Sequence, residues 1–221
     1  MKFLGSNISV GNICNSFSAV AGQAPFIYAS DPFDGTEQNL VRWTNTILGS
    51  STVTQAAGKL DHKCVANAGR PVITELNKTL AAGEDFYIEV DISGIAADTS
   101  LPSLTNEQGQ LILVIGGVDI IAGVFSSSGD LPNSGRFLQV GATPIYAQDD
   151  ALTTKAIIKR VGSTVTLISG SLTTTTENAG EVTAIQLQNR AYRTAGHTAN
   201  VYFDDFLALK SEGGPGLKIE L

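Results

Sequence analysis

The sequence predicts an all-β protein, a two-sheet antiparallel sandwich with an extended N-terminal arm, and three observations carry that prediction. Thr, Ser, Val and Ile are abundant beside 23 glycines, while charged residues reach only 16%, too few to clothe the solvent faces of surface helices. Apolar residues alternate with a period of two over short segments, as half-buried strands require, and no long stretch keeps a helical period. Gly, Asn, Asp and Pro punctuate the chain at short intervals, the cadence of many strands joined by turns. A length of 221 residues suits one large sandwich with terminal segments, because all-β domains reach this size as single units.

The elements follow in order. Residues 1–30 carry no charge between Lys2 and Asp31 and would expose Phe3, Ile8, Val10 and Phe17, so they are expected to form an arm that packs on this domain or on a neighbouring subunit. Asp31-Pro32-Phe33-Asp34-Gly35 is a compact turn in which Asp-Gly supplies the positive-φ position. Leu40 to Trp43, Ser51 to Gln55, Lys59 to Val65 and Arg70 to Leu76 then read as an antiparallel meander. Asp85 to Ile92 alternates cleanly, with Phe86, Ile88, Val90 and Ile92 inward and Tyr87, Glu89 and Asp91 outward.

Leu101 to Gly109 reads as a polar loop. Gln110 to Ile115 and Asp119 to Phe125 form an apolar hairpin across Gly116-Gly117-Val118. Ser126 to Gly135 is a surface loop and a candidate ligand edge. Arg136 to Val140, the hairpin Thr153 to Ile168 turning at Gly162-Ser163, and Glu181 to Leu187 follow, with Leu172 to Gly180 read as a polar tract and Asn189 to Asn200 as a bridge. The domain is expected over 31–210, with a tail at 211–221.

The closing segment, Val201 to Leu209, interrupts an apolar run with Asp204-Asp205. Strict alternation puts Asp205 on the face of Val201, Phe203, Leu207 and Leu209, where a carboxylate needs a partner.

Charge and composition exclude several function classes. A net charge of −7 with scattered Lys and Arg leaves no basic footprint for nucleic acid or anionic lipid. No apolar run reaches the roughly 18 residues of a membrane span, and Gly5, Ser6, Asn7 and Asn12 break the run that a signal peptide needs, so synthesis in a host cytoplasm is expected. Cys14 and Cys64 are too few for a disulfide framework, although a single bridge is open.

Phe33-Asp34-Gly35 before Trp43, the strand Phe86 to Ile92, the hairpin Ala156 to Ile168 and the closing Tyr202-Phe203-Asp204-Asp205-Phe206 together resemble the concanavalin A-like lectin/glucanase jelly roll, which includes laminin-G-like modules and virion adhesins. The resemblance covers roughly 31–210 and rests on cadence rather than on a motif of fixed spacing. It implies a two-sheet jelly roll whose closing strand brings Asp205 or Asp204 beside Asp31, Asp34 or Glu37, where a structural calcium would sit. The alternative is that Asp205 accepts backbone amides or pairs with an Arg such as Arg42.

Glucanases of that superfamily carry a Glu-x-Asp-x-x-Glu strand; here Glu89-Val90-Asp91 begins it, and Gly94 stands where the second Glu belongs. No catalytic residues are therefore assigned, and outward, solvated carboxylates are expected. His62 reads as a strand-surface histidine, and Trp43 as a core anchor. Tyr146, Asp149, Asp150, Tyr192 and Arg193 are the candidate ligand contacts, as aromatics beside polar groups in loop-like contexts.

The expected function is non-enzymatic: a structural and binding protein of a larger assembly, a homo-oligomeric phage virion component of head or tail with cell-surface glycan contact. The alternatives are a free carbohydrate-binding module or lectin, and a degenerate glycosidase with Glu89 and Asp91 as its acid pair.

Overall fold

The computed structural model describes residues 17–19, 26–65, 71–94, 105–128, 134–192, 198–211 and 217–219. Every regular element among them is a strand. The first seven are β1 (Phe17–Ala19), β2 (Phe26–Asp31), β3 (Trp43–Thr46), β4 (Thr52–Ala56), β5 (Lys59–Val65), β6 (Val72–Leu76) and β7 (Phe86–Ser93). The middle group is β8 (Thr105–Ile115), β9 (Val118–Ser128), β10 (Ser134–Val140), β11 (Thr143–Ala147) and β12 (Thr154–Val161). The last five are β13 (Thr164–Ser169), β14 (Leu172–Glu177), β15 (Val182–Tyr192), β16 (Thr198–Lys210) and β17 (Leu217–Ile219).

Two antiparallel sheets form the sandwich. One runs β11-β10-β9-β8-β15-β6-β3; the other runs β14-β13-β12-β7-β16-β5-β4, with β2 paired to β16. The chain ends pair with each other as β1 and β17. Strand β2 thus joins the sandwich from Phe26, inside the segment read from sequence as an arm. The segment Leu40 to Leu76 is not a meander: β3 and β6 pair in the seven-stranded sheet while β4 and β5 pair in the other, so the chain changes layers twice. Strand β8 begins at Thr105 and β15 runs on to Tyr192, so parts of the expected loop 101–109 and bridge 189–200 are strand.

Alternation explains the layers. Leu111, Leu113 and Ile115 of β8, Ile120, Ala122 and Val124 of β9, and Ile185 and Leu187 of β15 face inward against Ile88, Val90 and Ile92 of β7 and Ile158 of β12, in one buried cluster. At about 1.5–3 kcal/mol for each large side chain buried, this cluster dominates the stability of the fold.

The closing strand departs from strict alternation. A bulge between Asp204 and Leu207 shifts the register with β7, and Asp205 takes φ 48°. Val201 and Phe203 face the core before it, Phe206 and Ala208 after it, and Leu207 and Leu209 join Tyr87 and Ile157 on the outer face. Asp205 is therefore exposed, not on the apolar face that unbroken alternation assigned to it.

The carboxylate that needs partners at this seam is Asp31, opposite Phe206. Its Oδ2 accepts from Trp43 Nε1 at 2.8 Å, its Oδ1 accepts from the Phe33 amide at 3.1 Å, and Arg42 lies 3.6 Å away. That amide bond holds Phe33 at φ 50°, so Phe33, not Asp34-Gly35, takes the positive-φ position of the turn. Trp43 is fully buried between Phe33 and Phe206, at centroid distances of 5.9 and 5.0 Å, which bears out its role as a core anchor.

Candidate functional site: an amide-lined groove

Because strands β8 and β15 turn their odd-numbered apolar residues inward, their even-numbered residues form the outer face of the seven-stranded sheet. On β8 these are Gln108, Gln110 and Ile112; on β15 they are Gln186, Gln188 and Arg190. Antiparallel register sets them side by side: Gln108 faces Arg190, Gln110 faces Gln188, and Ile112 faces Gln186. Across β9 the same rows continue through Phe125, Gly123 and Ile121. They reach Gln139 and Phe137 on β10, and Phe137 faces Tyr146 on β11.

The result is a groove of about 510 Å³ running over five neighbouring strands. That volume lies within the range of ordinary small-ligand sites.

One side of the groove is aromatic. Phe125 and Phe137 are buried, and Tyr146 packs on both, with its ring centroid 5.2 Å from Phe125 and 6.1 Å from Phe137. Tyr146 itself stays 49% exposed, so a large π-face is held rigidly at the rim. Gly123 lies beneath. A Cβ there would come within 2.3 Å of the Gly109 carbonyl and 3.0 Å of the Phe137 ring, so glycine is what lets that ring settle over β9 at this point.

The other side is an array of amides. Gln110 Nε2 donates to Gln108 Oε1 at 2.5 Å, and Gln186 Nε2 donates to Glu75 Oε2 at 2.6 Å. Asp119 is the one carboxylate in the lining and Arg190 the one cation. In chemical terms the surface offers paired donors and acceptors beside an apolar platform, with almost no formal charge.

Of the ligand contacts expected from sequence, Tyr146 stands in this groove. Asp149 is ion-paired with Arg136, and Asp150 is exposed with φ 54°; both lie in the connection after β11. Tyr192 ends β15 with its side chain outside the described residues, and Arg193 lies outside them altogether. Of the five glutamines only Gln108 lies in the segment read from sequence as loop; Gln108-x-Gln110 and Gln186-x-Gln188 are each a two-residue spacing that puts both amides on one strand face, and that spacing is the signal in the sequence for this array.

The remaining chemistry-bearing residues lie elsewhere. Glu89 and Asp91 are outward, as expected, but on the other sheet, where Lys155 Nζ sits 3.5 Å from Glu89 and 3.3 Å from Asp91. Burial lowers the Lys155 pKa, but the two carboxylates outweigh it, so the net shift is upward. Tyr87 donates to Glu89 at 2.6 Å, and its phenol is pushed far above the usual range by burial and by that carboxylate.

His62 is not a surface residue. It is fully buried beside Phe203 (centroids 4.9 Å), and its Nε2 lies 2.8 Å from Thr74 Oγ1. The inward set of β5 is Leu60, His62 and Cys64, which face the second sheet across the core.

Among the residues considered for calcium, Asp34 and Asp205 are exposed, and Asp204 accepts the Asp205 amide at 2.8 Å. Burial raises the pKa of Asp204, with neighbouring Asp205 and Asp91 adding to the rise and the Asp205 amide opposing it. Among the described residues, no three His, Cys, Asp or Glu side chains converge as a metal-binding set. Cys64 is buried as a thiol, and Cys14 lies outside the described residues.

No protein-family model matches the chain, and no curated protein is significantly similar to it. Solved structures are similar in fold. The κ-carrageenase from Pseudoalteromonas carrageenovora superposes with a TM-score of 0.55 at 11% identity, covering 88% of this chain and 98% of its own. Rv0315 of Mycobacterium tuberculosis, an immunostimulatory antigen and pseudo β-1,3-glucanase, gives 0.56 at 10% identity over 84% and 99%. The catalytic domain of the laminarinase from Thermotoga petrophila gives 0.52 at 10% identity over 87% and 100%. At these identities the likeness concerns the fold alone: the chain is an antiparallel jelly-roll sandwich, built like these glucanase-type structures.

Proposed function

We propose that the protein binds glycan in the groove on the seven-stranded sheet without cleaving it, as a subunit of a larger assembly such as a phage virion. One observation carries the reading: Tyr146 presents an aromatic face at one end of a groove lined by five glutamine side chains and a single carboxylate. A pyranose has an apolar face that stacks on such a ring and hydroxyls that each give and take a hydrogen bond, which an amide matches on both counts.

The same lining argues against hydrolysis. A retaining glycosidase places two carboxyl groups about 5 Å apart, and an amide can neither donate the proton nor attack the anomeric carbon. Asp119 has no carboxylate partner in the described lining, and Glu89 and Asp91 belong to the opposite sheet, tied to Lys155. The assembly role is supported by the run without charge between Lys2 and Asp31, which suits a buried interface.

Glycan-array binding followed by calorimetry tests the proposal. The wild-type chain should retain at least one glycan that Tyr146→Ala loses, with no release of reducing ends, and Glu89→Gln should bind as the wild type does. Hydrolysis abolished by Glu89→Gln would overturn the non-catalytic reading, and a silent array would overturn glycan binding.

A further inference from the structure

On the basis of that glycan-binding reading, we infer that the groove selects an extended, uncharged glycan chain and discriminates against acidic ones. The two charged groups of the lining cancel, and they lie at opposite ends of the strands. Asp119 stands beside Val114 of β8 and Arg190 beside Gln108, a separation of about 20 Å along that strand at ~3.4 Å per residue.

Between them run the two central rows. One is Gln139, Ile121, Ile112 and Gln186; the other is Tyr146, Phe137, Gly123, Gln110 and Gln188. Neither row contains a formal charge. From β11 to β15 the second row crosses four inter-strand spacings, about 19 Å at ~4.8 Å each, which accommodates several pyranose units in line across the strands.

A ligand in these rows meets amides, apolar carbon and the Tyr146 phenol, all of them uncharged. A hydroxyl loses little on leaving water for an amide, because donor and acceptor are both replaced. A sulfate or carboxylate buried there would give up hydration without a cation to pair with. Glu75, bound to Gln186, continues the first row with a negative charge, and the net charge of −7 repels polyanions before contact.

The test uses the full chain and a panel of matched oligosaccharides: neutral gluco-, galacto-, manno- and N-acetylglucosamine hexaoses, with sulfated and uronate counterparts. Calorimetry is run at about 20 and about 500 mM NaCl, which brackets strong and weak screening. The expected result is that at least one neutral hexaose binds with an affinity that changes less than about twofold with salt, and its acidic counterparts bind about tenfold more weakly.

Gln188→Lys, which puts a cation in the central row, should narrow or reverse that preference and make binding salt-sensitive. Gln188→Met, close in size and uncharged, should weaken neutral binding without recruiting the acidic ligands. If acidic ligands bind the wild type as tightly as neutral ones or more tightly, and salt weakens them, the inference is overturned while glycan binding stands. If no member of the panel binds, both readings fall together.

Discussion

Acidification should destabilise this protein through one buried ring. His62 is held in a defined tautomer: Thr74 Oγ1 gives its single proton to Asn45 Oδ1 at 2.7 Å, so it accepts from His62 Nε2–H at 2.8 Å. Complete burial lowers the imidazole pKa from 6.5 to about 3, a backbone hydrogen bond with Val72 offsetting only part of the effect. Between those two values the unfolded chain takes up a proton that the folded chain refuses. The contribution of His62 is therefore intact above pH 6.5 and declines as pH falls, by about 1.4 kcal/mol per unit, reaching about 3 kcal/mol by pH 4.

The assay is urea unfolding of wild type and His62→Gln at pH 7.5, 6, 5 and 4. The variant should be the less stable at neutral pH, because it loses the ring contact with Phe203, and the gap should close by roughly the stated amount on acidification. Asp61 and Asp204 titrate in both proteins, and their raised pKa values act in the opposite sense, so only the difference between the two curves reports on His62. Parallel curves from pH 7.5 to 4 would refute the argument.

Three further outcomes can be measured. Arg160 is fully buried and donates to the carbonyls of Ala81, Glu84 and Gly180, so Arg160→Met should cost about 3–5 kcal/mol in chemical denaturation by stranding those oxygens. Asp31→Ala leaves Trp43 Nε1 and the Phe33 amide without their acceptor and should cost about 2–4 kcal/mol, read from the same unfolding curves. Chelator should leave the thermal midpoint where it is, because Asp205 is exposed and Asp204 is occupied by a backbone amide; a fall of several degrees would restore a calcium ion to that seam.

The strands that could be read from sequence are those in which one face is buried and the other wet. Strand β5 matches its expected bounds, and β7 and the β12–β13 hairpin lie within about a residue of theirs, because period-two alternation leaves little choice. Strands β11 and β14 escaped notice for opposite reasons. Pro144 marks β11 as a turn, though at a sheet edge its missing amide costs nothing, and the Thr173 to Thr176 run has no apolar alternation to declare a strand.

The groove was the least legible feature. It gathers residues from Gln108 to Arg190 through register between strands, and register is set by pairing that no local window contains. His62 was misplaced because imidazole chemistry suggests water, whereas the two-residue spacing from Leu60 and Cys64 assigns it to the core.

The bulge at Asp204 and Asp205 bears on how the closing strand tolerates change. Everything C-terminal to it is written one residue out of phase with everything before, and Asp205 is the extra residue that carries the difference. Substitutions there alter a solvent-facing turn. Deleting Asp205 would instead restore unbroken alternation from Val201 to Leu209, keeping Phe203, Phe206 and Ala208 toward the core and Leu207 and Leu209 outward, with Phe206 opposite Val90. The site therefore forgives the loss of the one letter that breaks its rhythm, whereas deleting Phe203 or Phe206 takes a buried ring out of the core, and a library of single-residue deletions should lose less folded protein at Asp205 than at either flanking phenylalanine.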